Sequence, residues 1–406
     1  MFSLGPVETL AAAALTLIFG QFLVRRIRWA ERYNLPAPVV GGLIVALAMW
    51  GLRQGDTPAI NFDKVFQSPL MVAFFAAMGY SASLETLRKS GRLVALYLAA
   101  CTVVLVFQNF LGIGIAKAFG LSPLFGILTG SVSLAGGPGT ALAFADSFEK
   151  AGVEGAAVLG LAAAMGGILM GGMVGGPVGT RLIRDLKLKP SGKTTIAAAT
   201  PTHPEPGIDA GQFPIEKATM LEGGLFRHGV ALLLMMWVGS YISLGLQKLG
   251  VTLPSYVGAM FLASVARNVD DKTGRLRLDP AWFEALGGFA LSLFLAMSMM
   301  TLALWRLAAA AVPLLVVLVA QAVFAVILST TIMFRLSGRD YDAAVMAGGF
   351  LGFMLGTTAN AMANMDALTK RYGPAPRAYV VVPLVGACFI DFTNALMTSI
   401  MMNFFK

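Results

Sequence analysis

Apolar and polar positions in this chain do not alternate. Apolar residues run together in long stretches, separated by short clusters of charge. A helix of about 17–25 apolar residues spans the hydrocarbon core of a bilayer. Ten such spans can be drawn, near 6–24, 37–52, 69–84, 93–118 and 156–183 in the first half and near 226–246, 254–266, 283–304, 312–334 and 378–403 in the second. The run at 254–266 is short and is expected to extend into its flanks.

Two further apolar stretches are interrupted. Ser131–Asp146 carries Gly136, Gly137, Pro138 and Gly139 in succession, followed by Thr140. Gly349–Asn364 has the same layout, with Gly356, Thr357, Thr358 and Asn360 at its break. Glycine and proline end helices through backbone freedom and a missing donor. In lipid, broken backbone persists only where protein buries it or where it lines a watery cavity. Each stretch falls between the fourth and fifth span of its half, so each is expected to form a re-entrant hairpin. Paired interruptions in corresponding halves point to a carrier's binding site. Candidate substrate-binding residues are therefore Ser133, Gly136, Gly137, Gly139 and Thr140 at the first tip, and Gly356, Thr357, Thr358 and Asn360 at the second.

Charge sets the expected orientation. Basic clusters at 25–32, 88–92, 181–193, 217–227, 267–277, 335–339 and 370–377 all fall on one side of the spans. The other side holds only Arg53, Lys64, Lys117, Lys150, Lys248, Arg306 and Lys406 of the 30 basic residues. The positive-inside rule makes the richer side cytoplasmic, with both termini outside. Five spans per half is an odd number, so the second half enters the membrane upside down. Internal similarity agrees: Val104–Gln108 resembles Val317–Gln321, and Gly130 and Thr140 precede Gly348 and Thr358 by the same interval. The fold expected is an all-α polytopic membrane protein of two inverted-topology five-helix repeats, 1–186 and 218–406. They are joined by a Pro-rich cytoplasmic linker at 187–217.

Composition narrows the classes. Hydrophobic residues make up 57% of the 406 and charged residues 13%, far from a soluble domain. The net charge of +9 is spread over the span ends, so orientation explains it and a nucleic-acid partner is not expected. The first span has no basic stretch before it and no small-residue cleavage site after it, and is expected to be retained. Cys101 and Cys388 both lie in apolar runs, where disulfide, zinc and thiol chemistry are not expected. No phosphate loop, zinc-helix motif or nucleophile elbow stands in a supporting context, so ATP-driven pumping, conventional hydrolase chemistry and an organic cofactor are not expected.

Asp391 is the sharpest candidate for chemistry, because it lies about midway along the last span. A carboxylate at that depth costs roughly 2.5–3.5 kcal/mol on insertion scales and marks a functional site by default. Asn394 and Thr398 continue its stripe along one helix face. Thr393 lies off that stripe. Asp146 and Asn364 stand at matching positions after Thr140 and Thr358. Asp391, Asn394, Thr393, Asn364 and Asp146 are the candidate ligands for a sodium ion, a hard cation that takes oxygen. Gln108, Asn109 and Gln321 are read as interhelical hydrogen-bonding groups. Three classes of function remain open on the residues alone: a coupled carrier, a channel with two pore loops, and an intramembrane enzyme that uses Asp391. The last has no second acid or nucleophile at a convincing position.

Several segments together resemble the bacterial sodium/glutamate symporter family: Leu35–Leu43, Pro69–Ala76 and Leu134–Thr140 in the first half, and Ser292–Met297, Tyr341–Val345, Ala361–Met365, Val381–Gly386, Phe389–Asp391 and Asn394–Leu396 in the second. The likeness covers nearly the whole chain except the linker. It implies a secondary transporter of the bacterial inner membrane that couples sodium to uptake of glutamate or another small carboxylate. It also implies an elevator-like movement and a homodimer.

Overall fold

The structure is a computed structural model that describes residues 2–27, 30–31, 33, 35–52, 60–190, 218–248, 255–302, 304 and 310–405. From Ser191 onward the expected linker lies outside the described residues, as do Arg28, Arg32, Arg53, Arg306 and Lys406.

The helices in chain order are α1 (Pro6–Arg26), α2 (Ala37–Leu52), α3 (Gln67–Ser81), α4 (Leu84–Lys89), α5 (Gly91–Ala118), α6 (Pro123–Ile127), α7 (Gly137–Lys150) and α8 (Ala156–Asp185). Then follow α9 (Ala218–Lys248), α10 (Ser255–Thr273), α11 (Pro280–Met300), α12 (Ala311–Leu328), α13 (Phe334–Leu336), α14 (Tyr341–Leu355), α15 (Thr358–Tyr372), α16 (Pro376–Pro383) and α17 (Ile390–Phe405). Three wide, π-helical turns join elements at Leu128–Val132, Ser329–Met333 and Leu384–Phe389. A short parallel pair, β1 (Phe2–Leu4) and β2 (Ile60–Phe62), is the one sheet among the described residues. A helix lies over each of the ten expected spans, and the 254–266 run does extend, to Thr273. Eight helices among the described residues are long and apolar enough to cross a membrane.

The chain divides into two compact units. One draws on 1–85 and 204–306, the other on 86–203 and 307–406. In the first unit, α1 packs on α2 and α11, and α3 packs on α10 and α11. Small residues let the backbones close up: a Cβ on Gly20 would stand 2.1 Å from the Ala37 carbonyl oxygen. Aromatic stacking fills the α3 contacts, Phe75 on Tyr256 at 4.3 Å and Tyr80 on Phe283 at 4.0 Å between ring centroids. At the end of α10, Asp270 gathers the turn that follows. Its carboxylate accepts from the N–H groups of Leu276, Arg277 and Leu278 and from the Tyr80 hydroxyl, at 2.8–3.1 Å.

The second unit contains both interrupted stretches. Its organising element is α8, which packs against α7, α14 and α15. Gly167, Gly171, Gly175 and Gly179 recur every fourth residue along it and so share one face. Along that face the backbones meet. A Cβ on Gly167 would stand 2.2 Å from the Leu355 carbonyl oxygen, and one on Gly175 would stand 2.7 Å from that of Gly348. This is membrane helix packing by small residues, as the glycine spacing suggests.

Candidate functional site

In the second interruption, α14 ends at Leu355 and α15 begins at Thr358. Gly356 takes φ −152° and ψ −108°, and Thr357 is extended. The Thr357 hydroxyl caps α15 by accepting from the Asn360 N–H at 3.4 Å. A side chain at Gly356 has no room, because its Cβ would lie 2.8 Å from Asn360 Nδ2 and 3.0 Å from the Gly352 carbonyl oxygen. Asn360 itself is buried and donates to the Ile168 carbonyl on α8 at 2.7 Å. Its Oδ1 has no partner among the described residues. Thr358 Oγ1 approaches Gly386, 3.2 Å from where a Cβ there would stand.

The first interruption starts earlier than the Gly-Gly-Pro-Gly run suggests. Gly130 leaves the helix with ψ −128° inside the wide turn Leu128–Val132. The N–H groups of Ala135 and Gly136 both bond back to the Ser131 carbonyl, at 3.0 and 3.1 Å. Gly137 has φ +64°, a left-handed conformation that favours glycine. Pro138, Gly139 and Thr140 are already in the first turn of α7. Proline suits that turn because no intrahelical bond needs its missing N–H and its fixed φ is helical. Ser133 is buried and donates to the Leu128 carbonyl at 2.5 Å.

The two breaks face each other. A Cβ built on Gly137 would stand 3.8 Å from both the Gly356 carbonyl oxygen and Thr357 Cγ2. The start of α7 and the start of α15 therefore meet within one unit. N–H groups in a helix's first turn lack intrahelical partners, and the helix dipole adds partial positive charge there.

A third element joins them. Asn394, in α17, is fully buried and donates to the Ser131 carbonyl at 2.9 Å. Its Nδ2 also comes within 2.8 Å of where a Cβ on Gly136 would be. Asn394 Oδ1, Thr398 Oγ1 and Ser131 Oγ are buried oxygens without partners among the described residues. Buried Thr16, Thr129, Ser292 and Ser399 each donate to the carbonyl one turn earlier, which Thr398 and Ser131 do not. Asp391 opens α17 directly after the wide turn Leu384–Phe389, which itself follows Pro383 within the span. The residue is half-buried, and its carboxylate makes no hydrogen bond or ion pair among the described residues.

The structure brings Gly136, Gly137, Thr140, Gly356, Thr357, Thr358 and Asn360 to the facing tips, with Asn394 beside them, while the Ser133 hydroxyl turns back to the Leu128 carbonyl. Gly139 lies one helical step in. Asp391 lies about one helical turn before Asn394 on α17. Asp146 is exposed toward the far end of α7. Asn364 is bonded to the carbonyls of Gly171 and Gly348, at 3.0 and 3.3 Å, and straps α15 to α8. Thr393 donates to the Ile390 carbonyl at 3.0 Å. Two groups at the first break escape a reading of the sequence as a site: Ser131, because only the fold aims it at Asn394, and Asn109, which accepts from the Ser131 N–H at 3.1 Å.

Eight membrane-length helices and two broken helix pairs with facing tips define a polytopic membrane protein built like a secondary carrier. A family model described as sodium/glutamate symporter matches residues 2–374, and the chain belongs to that family. It is 39% identical over 398 residues to the sodium/glutamate symporter of Escherichia coli K12, covering 98% of this chain and 97% of that one. The Shigella flexneri sodium/glutamate symporter matches equally, and the one from Haemophilus influenzae is 35% identical over 402 residues, covering 98% of this chain and 97% of that protein. No solved structure matches.

Proposed function

We propose that this chain is a secondary active transporter that carries glutamate, or a closely related acidic amino acid, into the cell together with sodium. Family membership supports the substrate class and the coupling ion. The observation that carries the site is the approach of Gly137 to Gly356 and Thr357, which brings two helix N-termini to one place. Glutamate has two carboxylates, and helix N-termini receive anions through exposed N–H groups. In our assignment the first turns of α7 and α15 hold one carboxylate each, with Thr140, Thr358 and Asn360 adding side-chain contacts.

Sodium sits, in the same assignment, at the stripe of Asp391 and Asn394. Asp391 supplies the charge, and the unpartnered Asn394 Oδ1 supplies a neutral oxygen, with Thr393 at its edge. Asp146 and Asn364 are not joined to that stripe, so the seat rests on the first two. An anion beside a bound cation offsets part of the cost of dehydrating both, which couples their binding.

Each compact unit takes one part of each half of the chain, which is the pattern expected of inverted repeats at 1–186 and 218–406. We assign the interrupted stretches as re-entrant hairpins entering from opposite sides. The unit with both tips then moves as a body in an elevator-like cycle. The distribution of basic clusters supports both termini outside, and the family resemblance supports the bacterial inner membrane and a homodimer. The test is a screen of sodium-dependent uptake over amino acids and dicarboxylates in cells lacking other carriers. Uptake of glutamate that disappears when choline replaces sodium is expected. Sodium-independent uptake, or selection of a solute without a carboxylate, would overturn the assignment.

A further inference from the structure

We propose that Gln108 and Asn109 are positioning residues that hold the two broken tips in register from a single turn of α5. The inference rests on the tips' being the substrate site, and its test is independent of which substrate they bind. Successive residues on a helix point about 100° apart, so neighbours can reach different elements. Gln108 Nε2 donates to the Met354 carbonyl at 3.1 Å. Met354 is in the last turn of α14, just before Gly356, where carbonyls have no intrahelical partner. Asn109 Oδ1 accepts from the Ser131 N–H at 3.1 Å, directly after Gly130 leaves the helix. Each amide thus takes up a backbone group near a break. Gln321, from α12, donates to the Gln108 carbonyl at 2.6 Å and ties down that same turn. All three side chains are fully buried.

Each amide uses only half its capacity. Gln108 Oε1, Asn109 Nδ2 and Gln321 Oε1 have no partner among the described residues. A buried polar atom without a partner is destabilising, a cost that an apolar side chain of similar length would avoid. What the amides add over such a side chain is direction, because each aims one atom at a backbone group of a tip or of its support.

The two holds have opposite polarity, and this gives the test. Gln108→Met keeps the length and removes the donor. Asn109→Leu removes the acceptor, while Asn109→Asp retains it. Full-length protein with Cys101 and Cys388 replaced by alanine would carry spin labels at Glu149 on α7 and Ala363 on α15, both exposed. Pulsed electron paramagnetic resonance without substrate then reads the distance between the two tip helices. Gln108→Met and Asn109→Leu are expected to shift or broaden the distribution, and Asn109→Asp to restore the narrow one. In uptake, the two disruptive variants are expected to raise the half-saturating glutamate concentration about tenfold, the equivalent of one lost hydrogen bond. Lower yields of folded protein with unchanged distances and unchanged half-saturation would overturn the proposal. Absence of glutamate uptake by the parent protein would count against the functional assignment alone, and the label distances would still decide this one.

Discussion

Gly167 couples the packing of α8 to both tips, and a single methyl group tests that coupling. A Cβ at Gly167 would stand 2.2 Å from the Leu355 carbonyl oxygen and 2.6 Å from Leu134 Cδ2. Leu355 immediately precedes Gly356, and Leu134 immediately follows Ser133. Ordinary contact begins at 3.4 Å, so in Gly167→Ala the end of α14 has to retreat by about 1 Å, within the range where overpacking costs about 1–3 kcal/mol. For groups that act by position, a displacement of about 1 Å lowers turnover roughly 100-fold. Gly176 lies on the same helix, and a Cβ there meets nothing within 4 Å. Gly176→Ala gains helix propensity of about 1 kcal/mol and leaves the tips alone. The assay is sodium-driven uptake, normalised to folded protein, with thermal unfolding of both variants in detergent. Gly167→Ala is expected to unfold at lower temperature and to lose most of its uptake, while Gly176→Ala keeps both. Equal uptake by the two variants would refute the claim that the α8 seam sets the tips.

Asp391→Asn keeps size and removes charge, so folded protein with strongly weakened sodium activation is expected; an unchanged activation curve, read as uptake against sodium concentration, would exclude Asp391 from coupling. Thr357→Ala removes the cap on α15 at a cost of about 0.5–2 kcal/mol, and Thr357→Ser should restore it, both read by thermal unfolding. For Asp270, burial acts against the carboxylate's charge, but the N–H groups of Leu278 and Arg277, the Tyr80 hydroxyl and the Leu276 N–H outweigh it and bring its pKa below the ordinary value. A lowered folded pKa gives stability that is present above the unfolded carboxylate range and lost as pH falls through the folded value. The stability gap between the parent and Asp270→Asn should therefore be full at neutral pH and shrink in acid; a gap independent of pH contradicts this. Cysteines at Ser3 and Lys189, both exposed, should label from opposite faces of the membrane, and labelling from one face would sink the inverted topology.

The sequence made the spans legible because lipid requires long apolar runs, and those runs became helices with nearly the expected ends. It also showed the two interruptions, but misplaced the first. Pro138 and Gly139 read as breakers, yet they begin α7, since proline fits a first turn; the break falls at Gly130 and at Ala135–Gly137. The wide turns at Leu128–Val132 and Leu384–Phe389 have no local sequence signal beyond Gly130 and Pro383, because tertiary contacts decide where a helix widens. Asn394 was legible as one of a polar stripe, but its bond to Ser131 joins residues far apart in sequence and only the fold supplies it. Asn364 and Asp146 match by position in the chain. In the structure Asn364 straps α15 to α8 and Asp146 is exposed, since the surroundings of matching positions differ.

The central claim is that the facing tips carry glutamate as a bound, sodium-coupled solute. Counterflow tests it most directly: purified protein in liposomes loaded with unlabelled glutamate is diluted into a trace of labelled glutamate, with sodium on both sides. Transient accumulation of label inside is expected, absent when choline replaces sodium and absent in Gly356→Val, whose side chain would fill the second break. Passive equilibration without accumulation, or accumulation that persists in Gly356→Val protein shown to be folded, would contradict it.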